Sequence, residues 1–339
     1  MESMSTITSP GDTHRLNNGL PMPGIGYGTY LSPDDEAGVR CILDALEAGY
    51  RLIDTASLYG NEDTVGRAVR ESALPREEIF ITSKIWNTDQ GYDSTLRAFD
   101  ASMQLLQMDY LDLYLIHWPV PAGHADDYRQ LNRETWKAME QLYRDGRIKA
   151  IGVSNFLPHH LEALMDRAEV MPMVNQLEIN PRYHQTATAA FCRENGILVE
   201  SWGPLARGGA LEEPILRRIA DKHGKSVAQI CIRWVLQRGI VPLPKSAHKN
   251  RIRANLDVFD FSLDGEDMAL IETLDALQGH TTYTYDTDGN VIGCTDPDGH
   301  TIAYTYDTMG RVTGYTDGNG NTTTYTSVSY THLTLPTIR

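Results

Sequence analysis

Cysteine is scarce in this chain: four in 339 residues, Cys41, Cys192, Cys231 and Cys294, with no C-x-x-C pair. That spacing speaks against a disulfide framework and against structural zinc. No run of about 18 apolar residues occurs, so no transmembrane helix is expected. The opening MESMSTITSPGDTHR lacks an apolar stretch, so no secretory signal is expected either. Basic charge is short as well: 30 Lys+Arg against 45 Asp+Glu leave a net charge of −15. Bulk attraction to a nucleic-acid backbone is therefore not expected. What remains, 41% hydrophobic and 22% charged residues, is a globular balance. The expectation is a cytoplasmic enzyme, with no metal and no nucleic-acid or membrane partner.

The composition breaks near Gly279. All seven lysines and all five tryptophans lie in residues 14–277, whereas 278–339 hold seven of the 17 tyrosines among many Thr, Gly and Asp. Residues 278–327 repeat with a period of 21: Tyr283-Thr284-Tyr285-Asp286 recurs as Tyr304-Thr305-Tyr306-Asp307, and Gly299 as Gly320. Alternating Tyr and Thr with Asp-x-x-Gly turns predicts short strands in hairpins, two per repeat. The pattern resembles the YD repeats of Rhs-type proteins. Little more than two copies cannot bury a core, so a poorly packed tail is expected. The end, 328–339, continues neither pattern and reads as unrelated sequence, of the kind a cloning or assembly read-through leaves. Residues 1–13 are expected to be disordered.

Between these ends the chain alternates strand and helix. A small hairpin is predicted around Asn17-Asn18-Gly19. Strands are predicted at 24–29, 50–55, 79–85, 111–117, 149–154, 174–179, 197–202 and 240–244. Amphipathic segments such as EAGVRCILDALEAG and SVAQICIRWVLQRG separate them, with Gly49, Gly146, Gly196 and Gly239 at the helix ends. Eight strands alternating with helices over about 260 residues predict a parallel (β/α)8 TIM barrel over 14–277. Gly24-x-Gly26-x-Gly28 lacks the remaining features of a dinucleotide fingerprint and reads as close packing at the barrel rim.

In such a barrel the C-terminal strand ends face the active site. Polar residues close the apolar strands there: Asp54 after RLI, Lys84 after FITS, His117 after LYLI and Asn155 after IGVS. Buried charge is costly without a partner, so Asp54, Tyr59, Lys84 and His117 converging on one mouth point to catalysis. A phenol is a weak acid near neutral pH, and a lysine beside it would lower its pKa while Asp54 held that lysine charged. His117 adds a further hydrogen-bonding group at that mouth.

DTASLYGNE, ITSKIW, LYLIHWP, GVSNF, NQLEINP, SWGPLARG and LPKS, in this order, resemble the motifs of the aldo-keto reductase family. SWGPL with NLDVFDFSL is most similar to its bacterial members that include 2,5-diketo-D-gluconate reductases. The resemblance implies NADPH-dependent (NADP) reduction of aldehydes and ketones, with Tyr59 as general acid. It implies that Ser154, Asn155 and Gln176 hold the nicotinamide carboxamide and that Trp202 stacks on the ring. Gly203, Pro204 and Leu205 would line the pyrophosphate, and Lys245, Ser246, Arg251 and Asn255 the 2′-phosphate and adenine. Tyr27, Trp86 and Trp118 would wall the substrate pocket. Two other readings compete: a nicotinamide-binding redox sensor with little turnover, and a fragment of an Rhs-type repeat protein.

Overall fold

The computed structural model describes residues 7–275, 282–285, 291–295, 301–306, 312–316 and 322–324. The chain divides into two compact units, residues 1–275 and 276–339.

The first unit opens with an antiparallel hairpin, β1 (Thr13–Arg15) against β2 (Pro21–Pro23), with His14 opposite Met22. Residues 7–13 hold defined places. Ile7 is buried where a side chain on Gly24 would stand, and Asp12 accepts hydrogen bonds from Thr8 and Ser9. Short polar side chains that bond their own backbone order a turn without any core-sized apolar content.

Eight parallel strands follow in consecutive order: β3 (Tyr27–Gly28), β4 (Leu52–Asp54), β5 (Phe80–Ile85), β6 (Leu113–Ile116), β7 (Ile151–Ser154), β8 (Val174–Glu178), β9 (Leu198–Trp202) and β10 (Val241–Leu243). The ring closes between its first and last strands. The N–H groups of Gly26 and Gly28 donate to the carbonyls of Pro242 and Pro244 at 3.0 and 3.1 Å. A Cβ on Gly26 would lie 2.2 Å from Leu52 and 2.6 Å from Leu243, so glycine is what the seam admits. The G-x-G-x-G run therefore seals a barrel.

Helices alternate with the strands and cover the outside. The first, Glu36–Ala48, starts where the Asp35 carboxylate accepts from the N–H groups of Ala37 and Gly38, and ends at Gly49 in the left-handed region. Val227–Gln237 begins with a reciprocal Ser226–Gln229 cap. Each apolar strand side chain that is fully enclosed contributes about 1.5–3 kcal/mol. Strands covered on both faces read as unbroken apolar runs, and that is why a polar residue inside one stands out.

The second unit is an antiparallel meander: β11 (Thr282–Tyr285), β12 (Val291–Thr295), β13 (Thr301–Tyr306), β14 (Val312–Thr316) and β15 (Thr322–Thr324). Its geometry repeats as the sequence does. The register shifts between Thr284 and Tyr285 and again, 21 residues on, between Thr305 and Tyr306. The expected turns at Asp286 and Asp307 and the segment 328–339 lie outside the described residues. Among the described residues no helix is long and apolar enough to cross a membrane.

Candidate active site

The strand ends bring four side chains together. Asp54 closes β4, Lys84 lies in β5, His117 follows β6, and Tyr59 ends a 3-10 turn, Ser57–Tyr59, after β4. Lys84 is fully buried, and its three N–H donors are all engaged. Nζ donates to Asp54 Oδ1 at 2.7 Å, to the Thr55 carbonyl at 2.8 Å and to the Tyr59 hydroxyl at 3.3 Å. The loop carrying Tyr59 is tied down. Ser57 donates to the Lys84 carbonyl at 3.0 Å, and Asn61 links Thr55 Oγ1 (2.7 Å) to the Thr29 carbonyl (2.9 Å). The His117 ring stands edge-on to Tyr59, with centroids 5.7 Å apart, and to Trp86 at 5.1 Å.

Burial and charge set the protonation of this group. Burial pulls Lys84 down, and Asp54 with Tyr59 more than offsets it, leaving the ammonium above its ordinary range. Burial, with a smaller push from Lys84, lowers His117 to about 3, so the imidazole is neutral near neutral pH. Tyr59 departs from the sequence-based expectation. Burial raises the phenol above its ordinary value, and Lys84 acts against that rise without reversing it. A lysine reachable only inside a dry barrel brings desolvation with it, and desolvation is the larger effect here.

A second set is joined to the first. Asn155 holds a left-handed backbone, φ +63°, and donates from Nδ2 to the His117 carbonyl at 3.0 Å and to Ser154 Oγ at 3.1 Å. Its Oδ1 accepts from Trp202 Nε1 at 2.9 Å. Gln176 Nε2 donates to Asp54 Oδ2 at 2.8 Å. Ser154, Asn155, Gln176 and Trp202 thus form one hydrogen-bonded network with Asp54 and His117. After Trp202 the chain turns through Gly203 (φ +61°), Pro204 and Leu205 into Ala206 and Arg207, both left-handed. The Arg207 guanidinium lies 5.6 Å from the Trp202 ring.

Among the described residues, Lys245, Ser246, Arg251 and Asn255 make no hydrogen bond to that network. Lys245 Nζ donates to the Leu31 carbonyl at 3.0 Å, and the Ser246 hydroxyl accepts from the His248 N–H at 3.2 Å. Ser246 and Asn255 are buried; Asn255 lies in the helix Lys249–Leu256 together with exposed Arg251. Among the described residues neither Lys245 nor Arg251 has an ion-pair partner, whereas Lys249 between them is paired with Asp44 and Glu47. Two cations without ion-pair partners, on the same short stretch of chain as a serine hydroxyl, fit an anionic group such as a phosphate.

The three expected pocket walls separate. Trp86 is half-buried against His117, and Trp118 is exposed, its carbonyl accepting from Gln90 Nε2 at 2.8 Å. Tyr27 is instead in the core, its ring on Tyr50 and its hydroxyl donating to the Ser246 carbonyl at 2.7 Å. The aromatic beside Tyr59 is Tyr30, centroids 5.0 Å apart and half exposed, just past the end of β3. The strand-end criterion that selected the other residues also covers it. Glu200 of β9, fully buried and bonded to Gln176, is a further such residue: an acidic residue inside an apolar strand is the same kind of signal as Lys84.

The Aldo/keto reductase family profile matches residues 17–276, and the RHS Repeat profile matches 285–322. A glyoxal reductase of Bacillus subtilis (strain 168) is 50% identical over 267 residues, 79% of this chain and 94% of that protein. The crystal structure of an aldo-keto reductase enzyme from a Medee basin deep-sea metagenome library superposes with a TM-score of 0.74 at 45% identity, covering 80% of this chain and 97% of that one. A Bombyx mori aldo-keto reductase in complex with NADP has a TM-score of 0.72 at 34% identity, covering 80% and 94%. A closed eight-stranded barrel carrying a buried lysine on a tyrosine, and a match that spans it from hairpin to last helix, lead to one assignment: the chain belongs to the aldo/keto reductase family.

Proposed function

We propose that this protein reduces the carbonyl group of small aldehydes and ketones to alcohols, using NADPH. The observation that carries the reading is the Lys84 ammonium, with all three donors spent on Asp54, the Thr55 carbonyl and the Tyr59 hydroxyl. When bound, NADPH supplies the hydride that the carbonyl carbon receives. Tyr59 delivers the proton to the carbonyl oxygen, and the adjacent ammonium stabilises the phenolate left behind. Neutral His117 orients that oxygen as a hydrogen-bond partner. Ser154, Asn155 and Gln176 hold the carboxamide, and Trp202 offers one wide aromatic face to the ring. Gly203, Pro204 and Leu205 line the pyrophosphate. Lys245, Ser246 and Arg251 take the 2′-phosphate, with Asn255 at the adenine. Trp86, Trp118 and Tyr30 border the substrate.

The B. subtilis relative is named for glyoxal, which makes short dicarbonyls the first substrates to try, with keto-sugar acids such as 2,5-diketo-D-gluconate next. The protein works as a cytoplasmic monomer, and the barrel, residues 14–277, is the catalytic domain. Initial rates of NADPH oxidation with glyoxal and with 2,5-diketo-D-gluconate test the reading. Saturable turnover that Tyr59→Phe abolishes supports it. NADPH binding without turnover of any carbonyl would favour a coenzyme sensor.

A further inference from the structure

Glu200 is a buried titratable group that the proposed chemistry leaves unused. It lies on β9 directly opposite Gln176 of β8, inside the barrel, and is wholly enclosed. Gln176 Nε2 carries two hydrogens and spends both, one on Asp54 Oδ2 at 2.8 Å and one on Glu200 Oε2 at 3.0 Å. Lys84 has no donor left, since its three are committed to Asp54, Thr55 and Tyr59. Glu200 Oε1 has no partner among the described residues. The other ladder neighbour, Val241 of β10, is apolar. The charged groups that act on Glu200 are Asp54 from β4 and Lys84 from β5. An ionised Glu200 would be a second buried anion beside Asp54 with a single amide hydrogen to satisfy it, an arrangement that desolvation disfavours.

We propose that Glu200 is a positioning residue for the reduction: it stays an uncharged carboxylic acid, anchors the amide of Gln176, and leaves Lys84 to Asp54, the Thr55 carbonyl and Tyr59. This rests on the carbonyl-reductase reading of the site. Burial first, then the charge of Asp54, push this carboxyl up to about 8 against the pull of Gln176 and Lys84. Above that pH Glu200 gives its proton to solvent, and a second negative charge joins the Asp54–Lys84–Tyr59 chain. Tyr59 then holds its proton more tightly and becomes a weaker acid.

The test compares the full-length protein with Glu200→Gln and Glu200→Ala in three measurements. In isotope-edited infrared spectra at neutral pH, the unmodified protein shows a protonated carboxyl band that Glu200→Gln lacks. In melting curves, the native state keeps a proton that the unfolded chain has lost between 4.5 and about 8, so stability falls as pH rises through that window. Glu200→Gln removes that slope. In pH–rate profiles, the unmodified enzyme loses kcat as pH passes about 8, and Glu200→Gln shifts this limb upward. Glu200→Ala, which removes the acceptor too, weakens NADPH binding about tenfold, and Glu200→Gln restores most of it.

An absent carboxyl band with an unchanged alkaline limb in Glu200→Gln overturns the proposal. If Glu200→Ala does not fold, the isosteric Glu200→Gln still decides it. A failure of the functional reading looks different: the unmodified protein would turn over no carbonyl at any pH. The infrared and melting measurements would then decide the charge state of Glu200 by themselves.

Discussion

The barrel and the C-terminal meander are both sheets, yet they treat side chains differently. In β3 to β7 and β10 every residue is buried, with helices outside and packed side chains within. In the meander Thr322–Thr324 are exposed, and Tyr304 and Tyr306 are half-buried. A side chain taken out of water changes its chemistry. Burial, with the charges it brings close, moves Lys84, Tyr59, His117 and Glu200 away from their ordinary titration ranges. The periodicity of Tyr and Thr in the meander repeats a backbone geometry, bulge included. Among the described residues no three His, Cys, Asp or Glu assemble into a metal-holding cluster in either unit.

If chemistry resides only in the barrel, changes there have large effects. Tyr59→Phe removes the proton donor and lowers kcat by about 10²–10⁴-fold, with NADPH affinity unchanged by fluorescence titration. Retention of half the wild-type kcat would break the assignment. Lys84→Met leaves Asp54 buried without its cation, which costs about 3–5 kcal/mol of stability in denaturant unfolding and also lowers the rate. Arg251→Ala erases most of an NADPH-over-NADH preference of about 1.5–3 kcal/mol and leaves NADH affinity alone. Equal affinity of the unmodified protein for both coenzymes would contradict that role. Acid acts on stability rather than on the reaction. The unfolded chain takes up a proton at His117 between 6.5 and about 3 while the native state does not, so stability rises with pH across that window.

Much of this was legible in the sequence because parallel strands covered on both faces write themselves as apolar runs. A polar residue closing such a run, as Asp54, Lys84 and His117 do, marks the barrel mouth. What stayed hidden depends on contacts between distant strands. Tyr27 and Tyr30 are equal candidates on paper. The bond from Tyr27 to the Ser246 carbonyl across the barrel seam separates them. Glu200 gains its meaning only from Gln176 and Asp54, on two other strands. The fall in Tyr59 acidity needs the depth of burial, which spacing does not give. Order in residues 7–13 rests on local Asp12 bonds too short-ranged to leave a periodic signal.

The account's central claim is that the barrel carries the whole reaction and the repeats carry none of it. The most direct test is steady-state NADPH oxidation with a small aldehyde, comparing the full chain with a truncation ending at Gln278, each also as Tyr59→Phe. The account predicts equal kcat for the two lengths, melting temperatures within a few degrees of one another, and loss of turnover in both Tyr59→Phe forms. A truncated barrel that unfolds, or that folds and turns over no aldehyde while the full chain does, would contradict it.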